Sequence, residues 1–470
     1  MIAGQKQVPE GIYILIFAYL SYCLLFTPNF LITVPVILYP AFAFRLLWID
    51  GQSNVLFWGM ILQWLNSATQ LLHCNFLRIT LEERTLKSSF PAYTMNDAVL
   101  YSIVGLYFFS FGVHLLVKKV KHHPIQDILW MYDAKKTLSF YIVFSIVTIL
   151  VSGIIWRFPT LVQYFYFFLY IKWGFFLVTF YIVHKKGSLL KSTFYSFITF
   201  EVLLSLTSFF AGNFINIISY IILGSIILKP RLTVKSYLTL FLAGVLLFHI
   251  FVLWSAVKNE YRAYVTKGQV TQSIVISREE ANAKLKELIT NVDEVKYQDG
   301  VTAFVDRLGY VQYFAATIDY VPKVVPHQYG QIYWSAIEHY LVPRFLNPNK
   351  EILDDTKHTS RYTGITLSGR ESATSFSLGY IADAYIDFGP YFMHAILFFF
   401  GCLFGLFYKN LYTTSKNVLW SWVFTAPFFL LININGADTK KALGWILIYF
   451  LVMKLTQSTL YKRLDPFLRG

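Results

Sequence analysis

From Tyr13 to Val257 the chain is a nearly unbroken succession of apolar windows, separated by a few polar or basic residues. Backbone in hydrocarbon must satisfy its own hydrogen bonds, so windows of this kind have to become helices. A membrane span needs about 20 mainly apolar residues. Tyr13–Phe26, Leu31–Trp48, Leu56–Leu72, Val99–Val117, Leu138–Ile155, Leu161–Val183, Phe194–Ala211, Ile215–Leu228 and Tyr237–Val257 approach or meet that length. Gly389–Tyr408, Val418–Ile434 and Ala442–Met453 follow later in the chain. The expectation is an all-α polytopic membrane protein of about 12 transmembrane helices. A composition of 56% hydrophobic and 14% charged residues excludes an ordinary water-soluble globule.

One long polar stretch, Lys258 to Leu378, interrupts the pattern. The chain therefore divides into spans at 1–257, a large loop at 258–378, and a return segment with the last spans at 379–470. Cytoplasmic loops carry an excess of Lys and Arg. Lys118-Lys119, Lys185-Lys186, Lys229, Arg231, Lys409, Lys416, Lys462 and Arg463 all fall on one side of a twelve-span plan. Both termini are then cytoplasmic, and the large loop is external. Lys440-Lys441, beside Asp438, would lie outside and runs against this assignment. The first span is expected to serve as the insertion signal, since Met1–Glu10 lacks the strongly basic start of a cleaved leader.

The net charge of +14 does not point to nucleic acid, because the large loop holds 14 basic and 14 acidic residues. The excess belongs to the short loops that face anionic lipid. Cys23, Cys74 and Cys402 show no pairing pattern. The segment Asn75–Asp97 is the longest other external connection and is placed to cap the same site as the large loop.

Within that loop, Ser277-Arg278-Glu279-Glu280 is a capping-box signature for a helix over Arg278–Val295. Ala303–Val321 reads as a second helix ended by Pro322, and Ile332–Leu341 as a third. Arg344–Ser377 is rich in Asn, Pro, Asp, Thr, Ser and Gly and is expected to be irregular.

Arginine offers a planar fork of donors matched to phosphate oxygens, and Arg307, Arg344, Arg361 and Arg370 all fall in the loop. Arg344 sits between Pro343 and a Phe-Leu-Asn-Pro turn, which frames it rigidly; any of the four could instead pair with the loop's acids. Asp383 and Asp387 lie four apart, on one face of a helix entering a span, with Tyr385 opposite. Either carboxylate could remove a proton from a hydroxyl or set loop geometry in a salt bridge. Glu338 and His339 offer a further base. Asp354, Asp355 and His358 have the atoms of a metal site but no evident companion ligand, so no metal is assigned. Tyr310, Tyr313, Tyr329, Tyr333, Trp334 and Tyr340 could anchor at the interface.

From Tyr340 onward the chain resembles the O-antigen polymerase (Wzy-like) family of oligosaccharide repeat-unit polymerases. The resemblance is carried by Val342-Pro343-Arg344-Phe345-Leu346-Asn347-Pro348-Asn349-Lys350, by Asp383-Ala384-Tyr385-Ile386-Asp387-Phe388-Gly389 and by Arg307. It departs at Asn347 and Glu351, where members often carry Trp and Pro, and at Asp383, where Glu is commoner. It implies a membrane glycosyltransferase that polymerises undecaprenyl-diphosphate-linked oligosaccharides outside the bacterial cell membrane, using no cofactor. Arg307, Arg344, Arg361 and Arg370 would hold the diphosphate. Asp383, Glu338 or His339 would act as base, and Tyr385 and Asp387 would position the substrate. Tyr310, Tyr313, Tyr329, Tyr333, Trp334 and Tyr340 would then be placed to stack on sugar rings. A flippase and a chain-length regulator are the expected partners. An O-antigen ligase uses the same donor and is the nearest alternative; a flippase or transporter would want charges deep in several spans, and Glu201 is the clearest one.

Overall fold

The apolar windows do become helices, because nothing else closes their backbone hydrogen bonds. The computed structural model describes residues 8–85, 94–155, 157–187, 189–206, 212–228, 234–269, 275–342, 353–367 and 375–470, and has no strand among them. The first elements are α1 (Glu10–Phe26), α2 (Phe30–Leu47), α3 (Val55–Leu77), α4 (Leu81–Thr85) and α5 (Met95–Val117). Then come α6 (Ala134–Ile155), α7 (Pro159–Lys186), α8 (Leu190–Leu206), α9 (Gly212–Leu228) and α10 (Val234–Val265). The polar stretch forms α11 (Arg278–Thr290), α12 (Glu294–Leu308), α13 (Val311–Tyr320), α14 (Gln331–Leu341) and α15 (Asp355–Thr363). The chain closes with α16 (Tyr380–Thr414), α17 (Val418–Thr425), α18 (Phe428–Leu431) and α19 (Thr439–Leu468).

Among the described residues, five helical segments are long and apolar enough to cross a membrane: Phe30–Leu47, Met95–Val117, Ala134–Ser152, Tyr380–Thr414 and Thr439–Leu468. Glu10–Phe26, Phe214–Leu228 and Val418–Leu431 are shorter apolar helical stretches. The outside of the bundle is itself apolar, with Phe17, Leu25, Val143, Leu150, Leu246 and Phe399 among many exposed side chains. A surface of that kind suits lipid rather than water. The protein is therefore membrane-associated.

Small residues let the central pair of helices approach backbone to backbone. A Cβ added at Gly112 of α5 would lie 2.2 Å from the Phe398 carbonyl oxygen, and one at Gly401 of α16 would lie 2.2 Å from that of Phe109. Polar side chains repair the breaks that proline makes. Pro40 cannot donate to the Val36 carbonyl, and Trp64 Nε1 donates to it instead at 2.7 Å. The charge anticipated at Glu201 is not alone: Lys172 Nζ lies 2.6 Å from its Oε1, and the Tyr141 hydroxyl donates to Oε2 at 2.9 Å. A buried pair so bonded is tolerated where a single charge is not.

Several boundaries differ from the sequence expectation. The window Val418–Ile434 breaks after Thr425 at Ala426-Pro427, and its last residues join a buried turn that ends at Asp438. Ala303–Val321 is two helices, parted at Gly309-Tyr310. The Ser277 cap is present, since Ser277 Oγ accepts from the Glu280 amide at 3.2 Å, while the Glu280 carboxylate accepts from the Tyr264 hydroxyl; α11 stops at Thr290 and Asp293 caps α12 afresh. The stretch read as irregular holds α15, opened by the Asp354 cap and closed by Gly364 at φ 69°. Nine mostly polar residues give too weak a periodicity to reveal it.

Gly401→Val should shift the protein from a single monodisperse peak to aggregate in size-exclusion chromatography, whereas Gly244→Val, with no neighbour within 4 Å of the added Cβ, should not. Lys172→Met should cost about 3–5 kcal/mol by stranding Glu201, read as a fall in thermal midpoint that the double variant with Glu201→Gln partly restores.

Candidate functional site

The first turn of α16 is pinned from below. A Cβ at Gly379 would come 2.1 Å from the Ile434 carbonyl oxygen, so only glycine admits this approach. The Tyr380 amide donates to the Ala437 carbonyl at 2.7 Å, and Asn435 of the same turn is tied to Gln63 and Ser67 of α3. This juxtaposition brings the start of α16 against the start of α19. The first amides of a helix have no partner within it, and the amide of Thr439 donates to Asp383 Oδ2 at 2.7 Å. The positive end of α19 thus holds the carboxylate. The other oxygen, Oδ1, accepts from Nε2 of His358 on α15 at 2.7 Å.

Asp383 has 0% of its side chain exposed and His358 has 24%. A buried carboxylate that orients a reachable imidazole is the arrangement of a general base with its positioning partner. Asp383 is sealed from solvent, and the more exposed member of the pair is His358, which the sequence offered only as part of an unconvincing metal set. Burial lowers the His358 pKa, but the charge and hydrogen bond of Asp383 outweigh it and hold the ring above the ordinary histidine value.

Further ionisable groups surround the pair. Asp355 is buried, accepts from Ser375 Oγ at 3.1 Å and is ion-paired with Lys441. That pairing accounts for the basic residue that sat on the wrong side of the charge pattern. Asp438 caps α19, accepting from the Lys441 amide at 2.7 Å. Burial and the charges of Asp383 and Asp355 raise its pKa. Asp354 caps α15, Asp355 meets Lys441 and His358 meets Asp383, so the supposed metal set diverges into separate contacts. Among the described residues no group of three or more potential ligands is assembled.

The remaining candidates are scattered. Asp387 is 1% exposed and caps α14 from outside, accepting from the amides of Ile332 at 3.2 Å and Tyr333 at 3.0 Å. Those bonds join α16 to α14, and buried Tyr385 ties α16 to the end of α13, its hydroxyl donating to the Val321 carbonyl at 3.1 Å. Gly389, at φ 70°, kinks α16 just beyond them. Arg361 is exposed and stacks over Tyr362 at 5.3 Å, and that ring is 5.0 Å from His358. Arg307 is exposed near Lys258 and Arg262; burial and those guanidiniums press the Lys258 pKa down to about 8. Its neighbour Asp306 is paired with Arg84 at 2.7 Å, which ties α4 of the Asn75–Asp97 connection to the loop. Glu338 is exposed and His339 half-buried beside Tyr340, and neither joins the Asp383 pair. Arg344 and Arg370, with Pro343 and Pro348, lie outside the described residues. Of the aromatic set, Tyr329 at 83% and Trp334 at 61% are open to a ligand, whereas Tyr313 is buried.

Fold and site together define a helical, membrane-associated protein with a carboxylate-oriented histidine beneath a partly helical polar loop. Residues 83–411 match the family described as Domain of unknown function (DUF8712), and the chain belongs to that family. The match includes His358 and Asp383 and stops before Thr439. No curated protein and no solved structure matches the chain.

Because Asp383 favours the imidazolium, Asp383→Asn should leave burial dominant and move the His358 titration to lower pH. An NMR titration of the ring in the detergent-solubilised full chain checks this, and an unmoved midpoint would break the link between the two residues.

Proposed function

We propose that the chain is a membrane glycosyltransferase that polymerises undecaprenyl-diphosphate-linked oligosaccharide repeat units into a surface polysaccharide. The reading carries with it a bacterial cell membrane, a plan of about 12 spans with both termini cytoplasmic, and an external loop. The observation that carries it is the Asp383–His358 pair, a base held 2.7 Å from its orienting carboxylate where the polar loop returns to the apolar bundle. A hydroxyl nucleophile from a sugar needs such a base, and the lipid-linked sugar is presented at that boundary.

In the reaction, the acceptor hydroxyl oxygen bonds to the anomeric carbon of the donor while His358 takes the hydroxyl proton. The bond from that carbon to the diphosphate oxygen breaks, and the electron pair leaves with the polyprenyl diphosphate. Arginines offset the charge that appears there. Arg361 reaches the histidine through the Tyr362 ring, and Arg307 belongs to a cluster of cations on the same loop. Arg344 and Arg370 are assigned to the same task on the sequence resemblance alone. Tyr329 and Trp334, both exposed, are the side chains suited to stacking on sugar rings.

The test is a ladder assay with purified protein and one defined lipid-linked repeat unit, with no nucleotide added. His358→Gln should reduce polymer formation by about 100-fold or more, the loss typical of a general base. Arg344→Ala should shorten or abolish the ladder and Arg344→Lys should rescue little of it, because lysine lacks the bidentate fork. A normal ladder from well-folded His358→Gln would refute the base. In cells, loss of all attached polymer on deletion, rather than single-repeat capping, would favour a ligase.

A further inference from the structure

Lysines converge on one cavity at the end of the bundle opposite Asp383. Asp383 lies in the first turn of α16 and Lys409 near its end, a separation on the order of 35 Å at the rise of a helix. There the segment after α5, the end of α16 and the start of α17 enclose a cavity of about 490 Å³ lined by Lys119, Lys121, His123, Lys409 and Lys416. Among the described residues, no Asp or Glu lines it. None of these lysines has an ion-pair partner among the described residues. Thr413, Ser415 and Asn417 supply the polar part of the wall.

Positive charge in short membrane loops is expected for topology alone. Topology does not require the charges to gather around one concavity. Like charges around a shared hollow repel, and the field they focus there attracts an anion. The volume falls in the range of about 300–1,000 Å³ common to small-ligand sites. Ammonium groups act on phosphate as mobile point charges, so several around one hollow suit a group carrying two or more negative charges. Asn417 fixes the floor, since its side-chain oxygen accepts from the amides of Leu419 and Trp420 and its Nδ2 donates to the Tyr132 hydroxyl at 2.9 Å.

We propose that this cavity binds a phosphate-bearing anion, as the headgroup of an anionic lipid or as a free ion, at a second site separate from the His358 centre. Its occupancy does not depend on the polymerase reading. The full chain is purified with two double variants, Lys409→Gln/Lys416→Gln and Lys119→Gln/Lys121→Gln. Lys462→Gln/Arg463→Gln serves as control, removing the same charge from exposed positions elsewhere. Pyrophosphate binding is measured in detergent by calorimetry, and cardiolipin retention by native mass spectrometry after extraction from phosphatidylcholine nanodiscs containing it.

Each cavity pair removes two of the four lysines, so each should weaken binding about tenfold or more and the control should not. Pyrophosphate binding identifies a free ion, and cardiolipin retention without it identifies a lipid headgroup. The proposal fails if neither probe binds, if the cavity variants bind as the parent does, or if the control weakens binding equally. Should a double variant fail to fold, as judged by its thermal midpoint, the single Lys409→Gln decides by the same criteria.

Discussion

The backbone contact between α5 and α16 is the constraint on which the rest of the molecule depends. In lipid, two helices gain nothing from hiding apolar surface from water, so they associate through close van der Waals contact. Gly105, Gly112, Gly401 and Gly405 provide it by leaving no Cβ in the way. With α16 fixed along α5, its first turn can come to rest only where Gly379 meets the Ile434–Asn435 backbone. That contact sets the start of α16 against the start of α19 and delivers Asp383 to an unsatisfied helix amide. Packing in the apolar bundle therefore positions the chemistry at its edge.

The polar loop is held by apolar side chains such as Phe314 and Ile318, which join the core of the bundle, and by a set of buried polar contacts. Asp387 caps α14, Arg84 pairs with Asp306, Lys441 pairs with Asp355, and His358 joins α15 to α16. Removing one member of such a pair costs more than the pair contributes, because its partner is left charged and desolvated. The loop is thereby kept in one arrangement over the bundle. Burial and the same neighbours set proton affinity: Asp383 holds His358 above its usual range against the effect of burial, and burial with the charges of Asp383 and Asp355 raises Asp438.

Much of this was legible in the residues. The apolar windows foretold helices, the Ser277 capping box foretold the start of α11, and Asp383 and Asp387 stood out as costly carboxylates beside a span. Their roles were not legible. Both are nearly sealed from solvent, and Asp387 accepts from the first amides of α14. His358 is separated from Asp383 by 25 positions, and its short polar helix carries no periodic signal strong enough to announce itself. Lys441 looked like an exception to the charge pattern because its partner, Asp355, is 86 positions away.

The sequence by itself determined the helical class, the membrane association and the place where polar chain interrupts apolar chain, since these follow from local composition and from the backbone's need for hydrogen bonds in hydrocarbon. Only the tertiary structure decided which carboxylate meets His358, which one caps α14, and which lysines share a cavity. Those outcomes depend on distances between residues far apart in the chain, and such distances are fixed by how the helices pack.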